Sequence, residues 1–256
     1  MRRWLMFTSY LGLALSAPAV WAVSADAVVE WSRRVDLSVP VSGVIAQVNV
    51  DVGDRVKRNQ VLLALDDMPF KAAVAQAQAL VSQRKVERSE TERDLKQAQA
   101  LYDRTVLSTV DLENAKNKQA QAAAGQLAAS AAHDEARWRQ HVSAIRAPYD
   151  GIVIQRQAQP AQTVATEIKP QTLLVFAAAD EYIARARLPA ESLAGITAGQ
   201  AASVTLAGEK FPAKVKQVGL EPVPQAGQTT PQYELELVFT TSKVLRAGLR
   251  VTIDIP

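Results

Sequence analysis

Gly43-Val44-Ile45, followed by Gly53-Asp54-Arg55-Val56 and Leu62-Leu63-Ala64-Leu65, is answered later by Gly151-Ile152-Val153, Ala161-Gln162-Thr163-Val164 and Leu173-Leu174-Val175-Phe176. In both copies ten positions separate the first glycine from the start of the turn. Between them, residues 70–147 hold no proline and one glycine, Gly125. Two matching β-rich halves around an uninterrupted helical stretch describe one small domain split by a helical insertion.

Within the first half, Val44, Ala46, Val48 and Val50 alternate with Gln47, Asn49 and Asp51, which predicts a strand with the four apolar residues on one face. Gly53-Asp54 marks a turn. Asn59 tolerates a left-handed backbone; Ala161 does so only with strain, so its turn is expected to be built differently.

Pro69 suits a first helical turn, with Asp66 and Asp67 before it as caps. From Phe70 the chain is dominated by Ala, Gln, Leu, Arg, Lys and Glu, all strong helix formers. Val74, Val81, Leu95 and Tyr102 share a heptad row broken by Arg88, and Ala115, Ala122, Ala129 and Ala136 form another. Repeats of seven predict a coiled-coil seam, and an alanine row lets two backbones approach closely. A break near Thr105–Thr109, with Ser108 or Thr109 as cap and Glu113 in the first turn, gives two arms of about 36 residues, each roughly 54 Å long. Pro148 and Gly151 end the insertion.

Beyond the second half, Tyr182, Ala184, Ala186 and Leu188 alternate with Ile183, Arg185 and Arg187. Similar runs end in Phe239 and Ile255, with turns at Gly199, Gly208, Gly227 and Gly248. They predict a small antiparallel barrel, with a short helix over Pro189–Leu193 and an exposed loop over 222–231.

The chain has 256 residues, 48% of them hydrophobic and 5% aromatic, which rules against one large aromatic core. With no cysteine there is no disulfide scaffold, thiolate metal site or cysteine nucleophile. Arg2 and Arg3, an apolar stretch over Leu5–Val20, and Val20-Trp21-Ala22 read as a secretory signal; cleavage is favoured over an uncleaved membrane anchor because the apolar run is shorter than a membrane span. Without those two arginines the balance is 27 basic to 26 acidic residues, net +1, giving no bulk-charge signal for nucleic acid.

Taken together, Ser42-Gly43-Val44-Ile45, Val50–Val56, Gln60-Val61-Leu62, Ala64-Leu65-Asp66, Ile145-Arg146-Ala147-Pro148-Tyr149-Asp150-Gly151 and Leu245-Arg246-Ala247-Gly248-Leu249 resemble the periplasmic adaptors, or membrane fusion proteins, of tripartite efflux pumps (the HlyD/RND-adaptor family). The Ile145–Val153 segment paired with the Gly53-Asp54 turn is the specific part. The resemblance implies a mixed, mainly β fold: a lipoyl-like (barrel-sandwich hybrid) domain split by a long antiparallel coiled-coil hairpin, then a β-barrel domain. The expected boundaries are 1–22 signal peptide, 23–68 first lipoyl-like half with its incoming strand, 69–144 hairpin, 145–180 second half, and 181–256 barrel. A further membrane-proximal domain, common in the family, is expected to be absent or rudimentary.

The resemblance further implies a periplasmic, ring-forming adaptor between an inner-membrane transporter and a TolC-type outer-membrane channel, exporting small molecules. An RND-type transporter is favoured, with an ABC-type system as the alternative and a non-transport envelope protein as the rival reading. In the family's tip motif, an arginine is followed by Leu four residues on and Ser seven further. Leu101 and Ser108 fit, Gln97 stands at the arginine position, and Arg104 is a nearby cation; these four are the expected channel contacts. Gly43, Gly53, Asp54, Pro148 and Gly151 are the expected turns of the lipoyl-like domain.

No catalytic, cofactor or metal site is expected. A lipoyl-type carrier needs a lysine at the turn between halves, where Leu65–Phe70 and the insertion stand instead; Lys71 falls on the helix. His133 and His141, eight residues apart, are too far along one helix for a shared ion and are expected on a solvated face. Methionine is limited to Met1, Met6 and Met68, and no phosphate loop or Gly-x-Ser-x-Gly motif occurs.

Overall fold

A computed structural model describes residues 23–166, 171–224 and 230–256. The signal segment and Gly227 lie outside the described residues. In chain order the strands are β1 (Val23–Trp31), β2 (Val35–Leu37), β3 (Gly43–Val48), β4 (Arg55–Val56) and β5 (Val61–Leu65). Helices α1 (Met68–Asp103) and α2 (Thr109–Val142) follow. The chain returns through β6 (Ala144–Arg146), β7 (Gly151–Arg156), β8 (Thr163–Val164) and β9 (Leu174–Ala178). Then come β10 (Glu181–Pro189), a 3₁₀ turn at Ala190–Leu193, β11 (Ala201–Leu206), β12 (Glu209–Val223), β13 (Gln232–Thr240) and β14 (Arg250–Ile255).

Two compact units result. One contains β1 and β10–β14, the other Ser32–Ala179. In the first, six antiparallel strands close into a barrel in the order β1-β10-β13-β12-β11-β14. Its interior is filled by Val29, Tyr182, Ala184, Val204, Leu235, Leu237, Phe239 and Ile253. Here the alternation read from sequence holds along most of the strands, which have one wet face; on β10 it fails at Ile183, buried between Tyr182 and Ala184. Outside, Arg185 on β10 reaches Glu236 at 2.8 Å and Glu30 at 3.1 Å, and Lys216 reaches Glu236 at 3.2 Å. Burial would raise the Glu236 carboxyl, but these hydrogen bonds and charges outweigh it and hold it below its ordinary value.

The barrel differs from the sequence reading at its start. β1, expected as part of the first lipoyl-like half, is not a strand of the split domain; it pairs with β10 (Ala27↔Ala186) and with β14 (Ala25↔Ile253) and completes the barrel. Its alternation of buried and exposed residues suits either domain, and only the distant partner strands decide between them.

In the second unit, four strands in the order β2-β9-β7-β4 face four in the order β6-β5-β3-β8. Ile45, Leu62, Leu63, Leu65, Val153, Leu173, Leu174 and Phe176 fill the space between. The predicted Val44–Val50 face survives only in part: Val48 and Val50 pack into the core, while Val44 and Ala46 turn outward. Ile45 is buried and Val44 is 45% exposed. A register shift between Ile45 and Gln47, against β5, changes the parity there, so that Ile45 points inward before it and Val48 and Val50 after it.

The helices run antiparallel and return the chain to its starting place, where the Leu65 amide donates to the Ser143 carbonyl at 3.0 Å. Pro69 lies in the first turn of α1, as its fixed φ favours. Asp67 makes no cap bond and instead pairs with Lys71 at 2.6 Å, while Asp66 Oδ1 accepts from the Met68 amide at 3.1 Å.

Candidate functional site

The two halves of the sandwich exchange their short strands. β4 of the first half pairs with β7 of the second (Arg55↔Ile152, Val56↔Gly151), and β8 of the second with β3 of the first (Val44↔Thr163, Gly43↔Val164). The turns exchange bonds in the same way. The Gly53 amide donates to Val153 O at 2.9 Å and the Ala161 amide to Ile45 O at 2.8 Å. This is a pseudo-two-fold, and it superposes the residues that the ten-residue spacing aligns.

Each turn is closed by the same device. In Asp51–Asp54 the Asp54 amide donates to Asp51 O at 3.2 Å, and the Asp54 carboxylate accepts from the Asp51 amide at 2.8 Å. In Gln159–Gln162 the amide bond is 3.2 Å, and Gln162 Oε1 accepts from the Gln159 amide at 3.0 Å. Lys57–Gln60 repeats the pattern around Asn59. The third residue has positive φ throughout: Gly53 at 95°, Asn59 at 66°, Ala161 at 66°. Ala161 thus takes the very conformation that its sequence argued against. Its amide bond to the other half and the Gln162 side chain hold it there.

Gly151 is required by space rather than by φ. A β-carbon there would lie 2.2 Å from Ala177 O and 2.3 Å from the Phe176 ring. At Gly43 the nearest atom is the Leu65 side-chain end, at 3.1 Å. Pro148 is exposed beside Tyr149, which packs on Phe176 at 5.1 Å between ring centres. The Arg33 guanidinium lies 4.8 Å over the Tyr149 ring, and the phenol donates to the Arg33 carbonyl. Burial raises the Tyr149 phenol above its ordinary value, partly opposed by Arg33. Asp150 Oδ1 accepts from the Arg58 amide at 2.7 Å, tying the second half to the first.

At the far end, residues 104–108 join the helices. The amides of Arg104 and Val106 both bond Leu101 O, at 3.2 and 3.0 Å, closing α1. Ser108 caps α2: its hydroxyl accepts from the Asp111 amide at 3.2 Å and lies 2.6 Å from Asp111 Oδ2. Of the four expected contacts, Gln97 and Arg104 are exposed, Leu101 is half-buried, and Ser108 is exposed with its hydroxyl engaged in the cap. Gln97 and Leu101 fall on one side of α1, four residues apart. The tip also offers Val106 and Val110, 71% and 70% exposed, which the motif reading passed over. Apolar residues at a turn between polar helices were the signal available for them.

The histidines divide. His141 is exposed as expected; His133 is only 17% exposed at its side chain and lies in the row that faces α1. Its two neighbours in that row, Gln126 and Gln140, disguise the repeat. Among the described residues no group of three or more His, Cys, Asp or Glu could hold a metal ion.

Two interleaved β halves, split by a helical insertion and joined to a closed barrel, define a barrel-sandwich hybrid protein. Residues 33–173, more than half of the chain, match the CzcB-like barrel-sandwich hybrid domain. The chain belongs to that family, the membrane fusion proteins or periplasmic adaptors that its sequence resembles.

Among curated proteins it is 26% identical over 203 residues to the macrolide export protein MacA of Escherichia coli O157:H7, covering 73% of this chain and 55% of that one. The chain therefore spans about half the length of that relative. A shorter match, 48% identical over 50 residues, is to the UPF0194 membrane protein YbhG of Salmonella arizonae. Among solved structures, the membrane fusion protein Spr0693 of Streptococcus pneumoniae R6 aligns with a TM-score of 0.72 at 16% identity, over 91% of this chain and 98% of that one. A MacA–MexA chimera carrying the Pseudomonas aeruginosa MexA hairpin aligns with a TM-score of 0.68 at 23% identity, over 91% and 81%. At such identities these two similarities speak to the fold alone.

Proposed function

We propose that the protein is a periplasmic adaptor. It links an inner-membrane transporter, of the RND or the ABC class, to a TolC-type outer-membrane channel for export of small molecules. The observation that carries the reading is the helical pair rising roughly 54 Å from the sandwich, with Val106 and Val110 bare at its tip. A membrane fusion protein needs reach and a docking end, and these residues supply both. The pair acts as a coiled-coil hairpin, and Gln97, Leu101 and Arg104 flank the apolar tip as channel contacts. Ser108 serves by shaping the turn. The protein is exported, assembles into a ring of its own copies, and performs no chemistry of its own; the transporter supplies the energy.

The chain has no cysteine, so a single Val106→Cys carries an unambiguous crosslinker in cells. The expected adduct is an outer-membrane channel. Adducts only between copies of this chain would sink tip docking and favour a role in organising the envelope without transport.

A further inference from the structure

Side chains face the opposite helix at alternating steps of three and four. On α1 they are Val74, Ala77, Val81, Arg84, Arg88, Thr91, Leu95, Ala98 and Tyr102; on α2, Leu112, Ala115, Gln119, Ala122, Gln126, Ala129, His133 and Ala136. The spacing is regular, but its chemistry changes along the length. Near the sandwich, Val74, Ala77 and Val81 look toward Ala129 and Ala136, with His133 the one polar side chain among them. Near the tip, Leu95 and Tyr102 look toward Leu112 and Ala115. Between these ends the facing residues are Arg84, Arg88 and Thr91 against Gln119, Ala122 and Gln126. The two long polar chains at the centre bond each other, with Arg88 Nη1 donating to Gln126 Oε1 at 3.0 Å.

Charge gives no added grip there. Residues 119–132 contain no charged side chain. Two ion pairs on the facing stretch stay within α1, Arg84–Glu87 at 2.7 Å and Lys96–Glu92 at 3.6 Å. Among the described residues no ion pair crosses from α1 to α2. Independently, the one glycine of either helix, Gly125, lies at this height: a β-carbon there would be 3.7 Å from Arg84 Cδ. Glycine is the weakest helix former after proline, and a helix bends where its ladder is least supported.

We infer that residues 84–91 with 119–126 form a built-in flexure, about which the tip third moves relative to the base third. Opening the centre exposes Arg and Gln, which water satisfies, and of apolar side chains only the single methyl of Ala122, whereas opening either end exposes Val, Leu and Tyr. The inference is independent of the proposed export role.

Hydrogen exchange on the whole chain, followed by mass spectrometry, tests it. Peptides from 84–91 and 119–126 are expected to exchange about ten-fold faster than those from 70–81 and 129–140, and faster than those from 95–101, giving a minimum of protection in the middle. Exchange that is uniform, or that falls smoothly from tip to base as simple end-fraying does, overturns the inference. Gly125→Ala, for which the structure has room, should slow central exchange about five-fold through helix propensity alone. Arg88→Leu combined with Gln126→Leu should slow it further and leave the base unchanged. If neither variant changes the central peptides, the flexure is not where we place it.

Discussion

The first and second halves of the sandwich make the same turn from different residues. At Gly53 the left-handed backbone is free of steric cost, and the side chain that closes the turn is the short carboxylate of Asp54. At Ala161 the same backbone carries a β-carbon, and the closing group is the longer amide of Gln162. The first glycine of each half diverges in the opposite sense. Gly43 has a leucine side-chain end beside it, 3.1 Å from where a β-carbon would lie, whereas Gly151 is walled in by a carbonyl and an aromatic ring. The pseudo-symmetry is therefore one of hydrogen bonds, and each half concentrates its steric demand at a different position.

Substitutions can break that comparison, the largest effect coming first. Gly151→Ala should destabilise the sandwich by about 3 kcal/mol or more, because backbone must move to admit the methyl group; Gly43→Ala should cost under about 1 kcal/mol. Paired urea titrations followed by exchange in β7 read the difference, and equal losses would mean that the crowding at Gly151 is relieved cheaply. Gly53→Ala comes next, at about 1–2 kcal/mol, the cost of forcing a β-carbon into the left-handed region. Asp54→Ala and Gln162→Ala should each lose about 1 kcal/mol, the worth of one turn-closing hydrogen bond. A clear inequality in thermal midpoint between those two would show that one half depends more on its side-chain closure.

The smallest effect carries the opposite sign. Ala161→Gly relieves roughly 1–2 kcal/mol of left-handed strain and gives back about 0.5–1 kcal/mol in unfolded-state entropy. A net stabilisation of about 0.5 kcal/mol is expected from these two figures, visible as a small rise in midpoint. A fall would mean that Ala161 is relaxed in its turn.

Much of this architecture is legible in local pattern. The paired glycines, the helix-forming run between them and the barrel strands with one wet face all announce themselves by spacing. What escapes is set by partners far along the chain. Nothing within Val23–Trp31 says that it pairs with β10 and β14. The shift at Ile45–Gln47, which turns Val44 outward, exists only against β5. Ala161 looked misplaced because its stabilising bond goes to Ile45, in the other half of the sandwich. At the tip, Ser108 matched a motif by position while its hydroxyl was committed to Asp111. Val106 and Val110 belonged to no motif and stand bare.

The exchange of short strands between halves bears on how the chain reaches this state. β4 has no partner until β7 has been synthesised, so nothing before the helices can complete a sandwich alone. The helices, built from local contacts, form fast by comparison with non-local sheet pairing. Once folded back on each other they bring Leu65 and Ser143 within a hydrogen bond, and a closure across the whole insertion becomes, in effect, a short one. The insertion that gives the protein its reach is thus also the clamp that allows its two halves to find each other, and slowing helix formation should delay the sheets as well.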